Sequence, residues 1–302
     1  MRGVAIAVVF LSLLPSQVNP QQPTFRSESN LVVIPVSVTD TINRFVLGLR
    51  KQDFHIYDDG VEQSIAHFSG EDVPLSIGLV FDISGSMDYK LTTSKKAAVL
   101  FLKALNPDDE SFLVNFNDKV DLTVGFTNNT QDVRTALEKT QPGGLTALLD
   151  AVNFSVTEMK KARNPRKAIL VVSDGGDNHS TYTPRQIESL VRAADVEIYV
   201  MGVFDPLASI LLSPEEISGP RLLSEIATQT GGRAFAASMA DDLPSVASRI
   251  AIELRNQYVL GYYPKNQIAD GKYHNVEVKF TPPAGLPALK AHWRQGYYAP
   301  EK

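Results

Sequence analysis

Cysteine is absent from the 302 residues. No disulfide, zinc–thiolate cluster or lipid-modified cysteine can therefore contribute to fold or function. Positive charge is not in surplus either: the formal net charge is −5. That balance disfavours a nucleic-acid surface, because such binding rests on neutralising phosphates. Histidine is scarce, and the 5 present, His55, His67, His179, His274 and His292, are scattered. There is no H-E-x-x-H zinc helix, no G-x-S-x-G elbow and no G-x-x-x-x-G-K phosphate loop. Ser86, His179 and Asp174 could be drawn as a hydrolytic triad, but without that elbow. A Mg²⁺-dependent phosphohydrolase built on Asp82 would want a second Asp two residues on, where Ser84 stands. No segment reaches the ~20 apolar residues that a membrane-spanning helix needs.

What the chain has is apolar content, 43% of its residues, which is ample for a sizeable core and too much for a disordered chain. Its start reads as a signal peptide over residues 1–22. Arg2 supplies the positive charge, residues 4–14 are the apolar stretch, and Pro15, Ser16, Asn19 and Pro20 break it. The cut is expected between Ser16 and Gln22, and no membrane span is expected after it. Export without cysteine points to a bacterial periplasm or exterior ahead of an animal secreted protein.

Residues 75–81 form a continuous apolar run, the pattern of a strand buried on both faces. The run ends in Asp82-Ile83-Ser84-Gly85-Ser86, a D-x-S-x-S pattern followed by a helix-like stretch. In open α/β sheets, ligands sit at the carboxyl ends of strands. A carboxylate and two hydroxyls on one tight turn there make an oxygen-only nest. It suits a small divalent cation, above all Mg²⁺, which prefers oxygen ligands and keeps some waters. The same residue types also build ordinary turns, so two later segments matter. Gly143-Gly144-Leu145-Thr146-Ala147-Leu148 offers the Thr146 hydroxyl on a glycine-rich loop that opens a helix. Residues 169–172 are a second buried-strand run, ending in Ser173-Asp174-Gly175-Gly176-Asp177-Asn178. A second strand thus delivers Asp174 at its carboxyl end, and Asp82, Ser84, Ser86, Thr146 and Asp174 become candidates for one ion.

This order, D-x-S-x-S, then Thr in GGLTALLDA, then Asp in VVSDGGDN, resembles a von Willebrand factor type A domain with a metal-ion-dependent adhesion site. The resemblance covers residues 73–255. It implies Ser84, Ser86 and Thr146 as hydroxyl ligands, with Asp82 and Asp174 supplying charge, partly through waters. It implies Mg²⁺ as cofactor, with Mn²⁺ or Ca²⁺ as substitutes. Few charged ligands leave such a cation electrophilic, so it can accept the Asp or Glu of a protein partner. That is adhesion-type binding by shared coordination, with no chemistry on the partner. Two alternatives stay open: a Mg²⁺-dependent hydrolase, or a scaffold whose metal only stabilises the fold. Asp177 is either an acceptor behind the ligands or a helix cap, and the cap is favoured. Lys95 and Lys96 are expected on the wet face of the first helix.

The pattern between residues 73 and 255 alternates strands and helices. It predicts a doubly wound, mostly parallel α/β sheet of Rossmann-like type, with residues 120–126 as its antiparallel member. An N-terminal β segment over 23–72 precedes it and a C-terminal β segment over 256–302 follows. Asp59-Gly60 predicts a hairpin, with 61–68 as one return strand, and Pro35 predicts an edge strand over 31–38. The C-terminal segment reads as three strands, 257–263, 273–280 and 289–298. Neither segment is long enough for its own core, so the two are expected to combine into one small β-sandwich. A loop over 205–219 is expected beside the metal site, with Ile210-Leu211-Leu212 as a partner-contacting rim.

Overall fold

The computed structural model describes residues 31–203, 214–237, 239–266, 270–283, 285 and 288–301. The expected signal peptide and the Ile210-Leu211-Leu212 rim lie outside those residues.

The chain enters as short strands β1 (Val32–Thr39), β2 (Phe54–Asp58), β3 (Val61–Gln63) and β4 (Ile65–Ser69). β2 and β3 join through Asp59 and Gly60, whose φ angles are 46° and 79°. Positive φ at both central residues is what a type I′ hairpin turn demands, and Asp-Gly supplies it. The single return strand expected over 61–68 is in fact two. It breaks at Ser64, so β3 stays with β2 while β4 pairs in a different sheet. The crossing lets Ile65 join the core shared by both sheets, which a lone hairpin could not form.

The middle of the chain is β5 (Leu75–Asp82), α1 (Leu91–Lys103), β6 (Glu110–Phe116), β7 (Val120–Thr127), α2 (Thr130–Lys139), α3 (Leu148–Glu158), β8 (Arg166–Ser173), α4 (Pro184–Ala193), β9 (Glu197–Val203), α5 (Pro214–Thr230), β10 (Ala234–Ala237) and α6 (Leu243–Arg255). The strands form one sheet in the order β10-β9-β8-β5-β6-β7. All pairings are parallel except β7 on β6. β5, β6 and β9 are buried at every position because helices cover both faces. On one face Leu79, Phe81 and Leu170 pack with Phe101, Leu137 and Ile250 from α1, α2 and α6. On the other, Val80, Phe112 and Ile169 pack with Val152, Ile187 and Ile226 from α3, α4 and α5. The helix-like stretch after the D-x-S-x-S turn opens as a 3₁₀ segment, Gly85–Lys90, and continues as α1 from Leu91. α5 begins at Pro214 and takes up part of the loop expected over 205–219. From β5 the sheet grows through β6 and β7 in one direction, and from β8 through β9 and β10 in the other. The carboxyl ends of β5 and β8 therefore flank the topological switch point, where such sheets open a crevice.

The chain closes with β11 (Tyr258–Tyr262), β12 (Tyr273–Phe280), β13 (Lys290–Trp293) and β14 (Gly296–Tyr298). The two ends of the chain interleave as β13-β1-β11-β4 and β14-β12-β2-β3. Ile34, Val36, Ile56, Leu260, Tyr262 and Val278 fill the space between these sheets. β1 is not an edge strand, contrary to the proline argument. However, β13 pairs only with Val36 to Thr39, so at Pro35 one flank alone, toward β11, is laddered. The expected last strand also divides, with β13 in one sheet and β14 in the other. Arg255, ending α6, pairs with Asp72, in the connection from the sandwich into β5, at 3.0 Å and with Asp109 just before β6.

Candidate functional site

Asp82 is the last residue of β5 and is fully buried. Its Oδ1 accepts the backbone N–H of Ser84 at 2.8 Å, a local turn that fixes the path of the next residues. Its Oδ2 accepts the hydroxyl of Ser173 at 2.6 Å, across the switch point from the end of β8. Ser84 and Ser86 hydroxyls stand 3.1 Å apart. The glycine-rich loop is sewn to this turn by its backbone: Gly85 N–H donates to Gly144 O at 3.1 Å and Gly143 N–H to Ile83 O at 2.8 Å. Gly144 has φ +84°, a left-handed conformation that favours glycine at this close approach. Thr146 follows, buried, and is tied to the third loop. Its N–H donates to Asn178 Oδ1 at 2.9 Å, and its carbonyl accepts from the N–H groups of Asn178 and His179. The loops after β5, before α3 and after β8 are thus laced together at one edge of the sheet.

Asp174 extends this set. Its Oδ2 is 3.0 Å from Lys90 Nζ, and both side chains are buried, at 9% and 7% exposure. Its Oδ1 is buried with no hydrogen-bond partner, a state that native folds rarely leave uncompensated. Burial, reinforced by the nearby charge of Asp174, pushes the Asp82 carboxyl up to about 7, against the hydrogen bonds from Ser173 and Ser84. Burial pulls the Lys90 ammonium down, but the Asp174 carboxylate more than offsets that and holds it above its ordinary value. Without further positive charge, the charge of Asp174 disfavours ionisation of Asp82. All five candidate donors are oxygens, and with the orphaned Asp174 oxygen they fit a hard divalent cation.

Other residues singled out by sequence divide clearly. Asp177 caps a helix: Oδ1 accepts from Leu148 N–H at 2.9 Å at the start of α3, and from the Ser180 hydroxyl at 2.6 Å. His179 is exposed. Lys96 is exposed as expected, whereas Lys95 reaches the end of α2 and donates to Thr140 O at 2.7 Å. Two residues escaped the sequence reading. Ser173 shows no signal beyond preceding Asp174, and Lys90 looks like one more polar residue at the start of a helix. Their roles follow only from the positions of β8 and the 3₁₀ segment.

A second group of metal-type donors lies in the sandwich. Asp58, Asp59 and His274 bring ligand atoms within 4.8 Å of one another. Both carboxylates already have hydrogen-bond donors within the protein. Asp58 Oδ2 accepts from Tyr262 and Tyr297 hydroxyls at 3.0 and 2.9 Å, and Asp59 Oδ1 accepts from Asn275 N–H at 2.9 Å. His274 Nδ1 is 3.0 Å from Asp59 Oδ2, while its Nε2 is buried without a hydrogen-bond partner.

Residues 77–176 match the family model of the von Willebrand factor type A domain. Over these residues the chain resembles that domain. It is 27% identical over 135 residues to inter-alpha-trypsin inhibitor heavy chain H3 of Pongo abelii, covering 40% of this chain and 15% of that one. It is 31% identical over 151 residues to heavy chain H2 of Sus scrofa, covering 45% and 16%. The match thus spans only a small part of these relatives' length. Proximal thread matrix protein 1 of the mussel byssus shares the fold, with a TM-score of 0.51 at 20% identity over 66% of this chain and 51% of that one. Adhesion and protein binding are the usual work of von Willebrand factor A domains. The family match reaches from β5 to just past Asp174, so it includes every candidate ligand position.

Proposed function

We propose that this chain is an exported, metal-ion-dependent protein-binding module. In this reading Asp82, Ser84, Ser86, Thr146 and Asp174 hold a divalent cation, Mg²⁺ first, with Mn²⁺ or Ca²⁺ able to replace it. The partner is a protein that offers an Asp or Glu carboxylate. The domain layout we infer is a signal peptide at 1–22, a β segment at 23–72, the von Willebrand factor A domain at 73–255 and a β segment at 256–302. Export rests on the sequence of the first segment, and among the described residues no helix is long and apolar enough to cross a membrane.

The observation that carries the reading is the buried, unpartnered Oδ1 of Asp174 beside a second buried carboxylate, Asp82. When bound, the cation supplies a Lewis-acidic point that takes up a carboxylate oxygen of the partner. The chain's own residues do the positioning. Asp82 fixes the turn that presents Ser84 and Ser86, Ser173 holds Asp82 from the neighbouring strand, and the Gly143-Gly144 backbone brings Thr146 up to that turn. Hydroxyl donors add no charge, so the cation's own charge is left for the partner to meet.

Calorimetry of Mg²⁺ and Mn²⁺ against chelator-stripped protein, beside Asp82→Ala, tests this. A single binding event lost in the variant is the expected result. A wild type that binds neither ion overturns the reading and leaves a metal-free scaffold.

A further inference from the structure

Lys90 is the one lysine buried among the described residues. It ends the 3₁₀ segment that follows the D-x-S-x-S turn. Its ammonium meets Asp174 Oδ2 at 3.0 Å and lies 5.0 Å from the centre of the Tyr89 ring, a residue 65% exposed. A lysine stem could snorkel from such a place toward solvent. Here the head turns inward and occupies one oxygen of Asp174, while the other oxygen is buried and unpartnered.

We propose that Lys90 is the resident cation of this site: it holds Asp174 when no metal is bound, and it sets how tightly a divalent ion is held. The inference rests on the metal-binding reading above and goes beyond it by assigning a role to a side chain that contributes no ligand. Two buried carboxylates with no positive neighbour would be costly to keep ionised. Lys90 brings one positive charge to an edge that holds two carboxyl groups, and it pairs directly with Asp174 at 3.0 Å. The same charge repels an incoming divalent ion across a few ångströms of largely buried medium, where a unit charge counts for much more than in water. It also pins Asp174 Oδ2, which leaves Oδ1 as the oxygen available to the ion. The result is an ion site of moderated affinity, and a divalent ion bound there leaves the edge with a net charge of +1. That residual charge favours a partner's carboxylate as the completing ligand.

The test is calorimetry of Mg²⁺ and Mn²⁺ with full-length Lys90→Met, Lys90→Arg and wild type, together with thermal unfolding in chelator and in saturating Mg²⁺. Lys90→Met is expected to bind both ions about tenfold tighter or more, the scale of removing one repulsive unit charge. In chelator it should melt below wild type, with a larger Mg²⁺-induced rise in Tm. Lys90→Arg, which keeps the charge, should stay within a few-fold of wild type. If Lys90→Met does not fold, Lys90→Gln carries the same expectations. Ion affinity in the neutral variants equal to or weaker than wild type overturns the role of Lys90, while ion binding by the wild type still stands. A wild type that binds no ion sinks the metal-site reading itself.

Discussion

The Ser173 hydroxyl donates to Asp82 at 2.6 Å and accepts the Gly175 N–H at 3.0 Å, so one small side chain links two strand ends. A hydrogen bond to the charged form of a carboxyl favours that form, and Asp82 needs the help because burial already pushes it up to about 7. Ser173→Ala removes this donor and leaves Asp82 more readily protonated. The expected outcome is Mg²⁺ binding weakened about tenfold at pH 7, since hydrogen bonds to charged groups contribute roughly 1.5–3 kcal/mol. Calorimetry reads the change, and equal affinity in the variant would show that Asp82 is held by other means. Sequence could nominate Asp82 and Asp174 because carboxylates at strand ends are chemically conspicuous. It could not nominate Ser173 or Lys90, whose importance lies in which atom of another loop they reach.

At the scale of single elements, α3 shows how a local signal resolves into a role. Asp177 and Ser180 satisfy the first free N–H groups of α3 from a loop about thirty positions later in the chain. Asp177→Ala is expected to cost about 1 kcal/mol of stability, the usual scale for a lost N-cap, read as a lower midpoint in urea. Abolished Mg²⁺ binding in that variant would instead mark Asp177 as part of the ion site. In β5, Gly78 leaves room for the tip of the Phe112 ring from β6: an added Cβ would sit 2.3 Å from Cζ of that ring. Gly78→Ala should destabilise by about 1–3 kcal/mol through overpacking, again read by urea unfolding. Strand and helix types were legible throughout the central region because buried runs and amphipathic stretches alternate there. The two strands that change sheets, after Gln63 and after Trp293, were not. Alternation within a strand looks the same whichever sheet it joins, and only the paired partner reveals the crossing.

At the scale of the whole molecule, the α/β domain and the sandwich share a buried polar seam. Gln257, just before β11, donates to Glu197 on β9 at 2.7 Å and to the Tyr199 hydroxyl at 3.1 Å, while Arg166 on β8 reaches Gln257 and the carbonyl of Leu254. Burial pushes Glu197 up to about 8, against the opposing pull of Arg166 and of the Gln257 hydrogen bond. The folded state therefore holds a proton that the unfolded chain releases near pH 4.5. This contribution to stability is complete below that pH and is lost as pH rises through about 8. Relative to Glu197→Gln, wild-type stability should fall between pH 5 and 8 with a slope of up to about 1.4 kcal/mol per pH unit. Parallel pH profiles for the two proteins would show that Glu197 does not titrate in the seam. By itself the sequence determined the alternation of strands and helices, the buried character of β5 and β8, and the order of oxygen-bearing residues at their ends. These are properties of short stretches of chain, set by hydrophobic period and turn chemistry. Only the tertiary structure decided that β8 lies beside β5, which brings Asp174 and Ser173 to Asp82 and Lys90 to Asp174. It alone decided that the two ends of the chain interleave in one sandwich, because strand pairing joins residues far apart in sequence and rests on the packing of the whole.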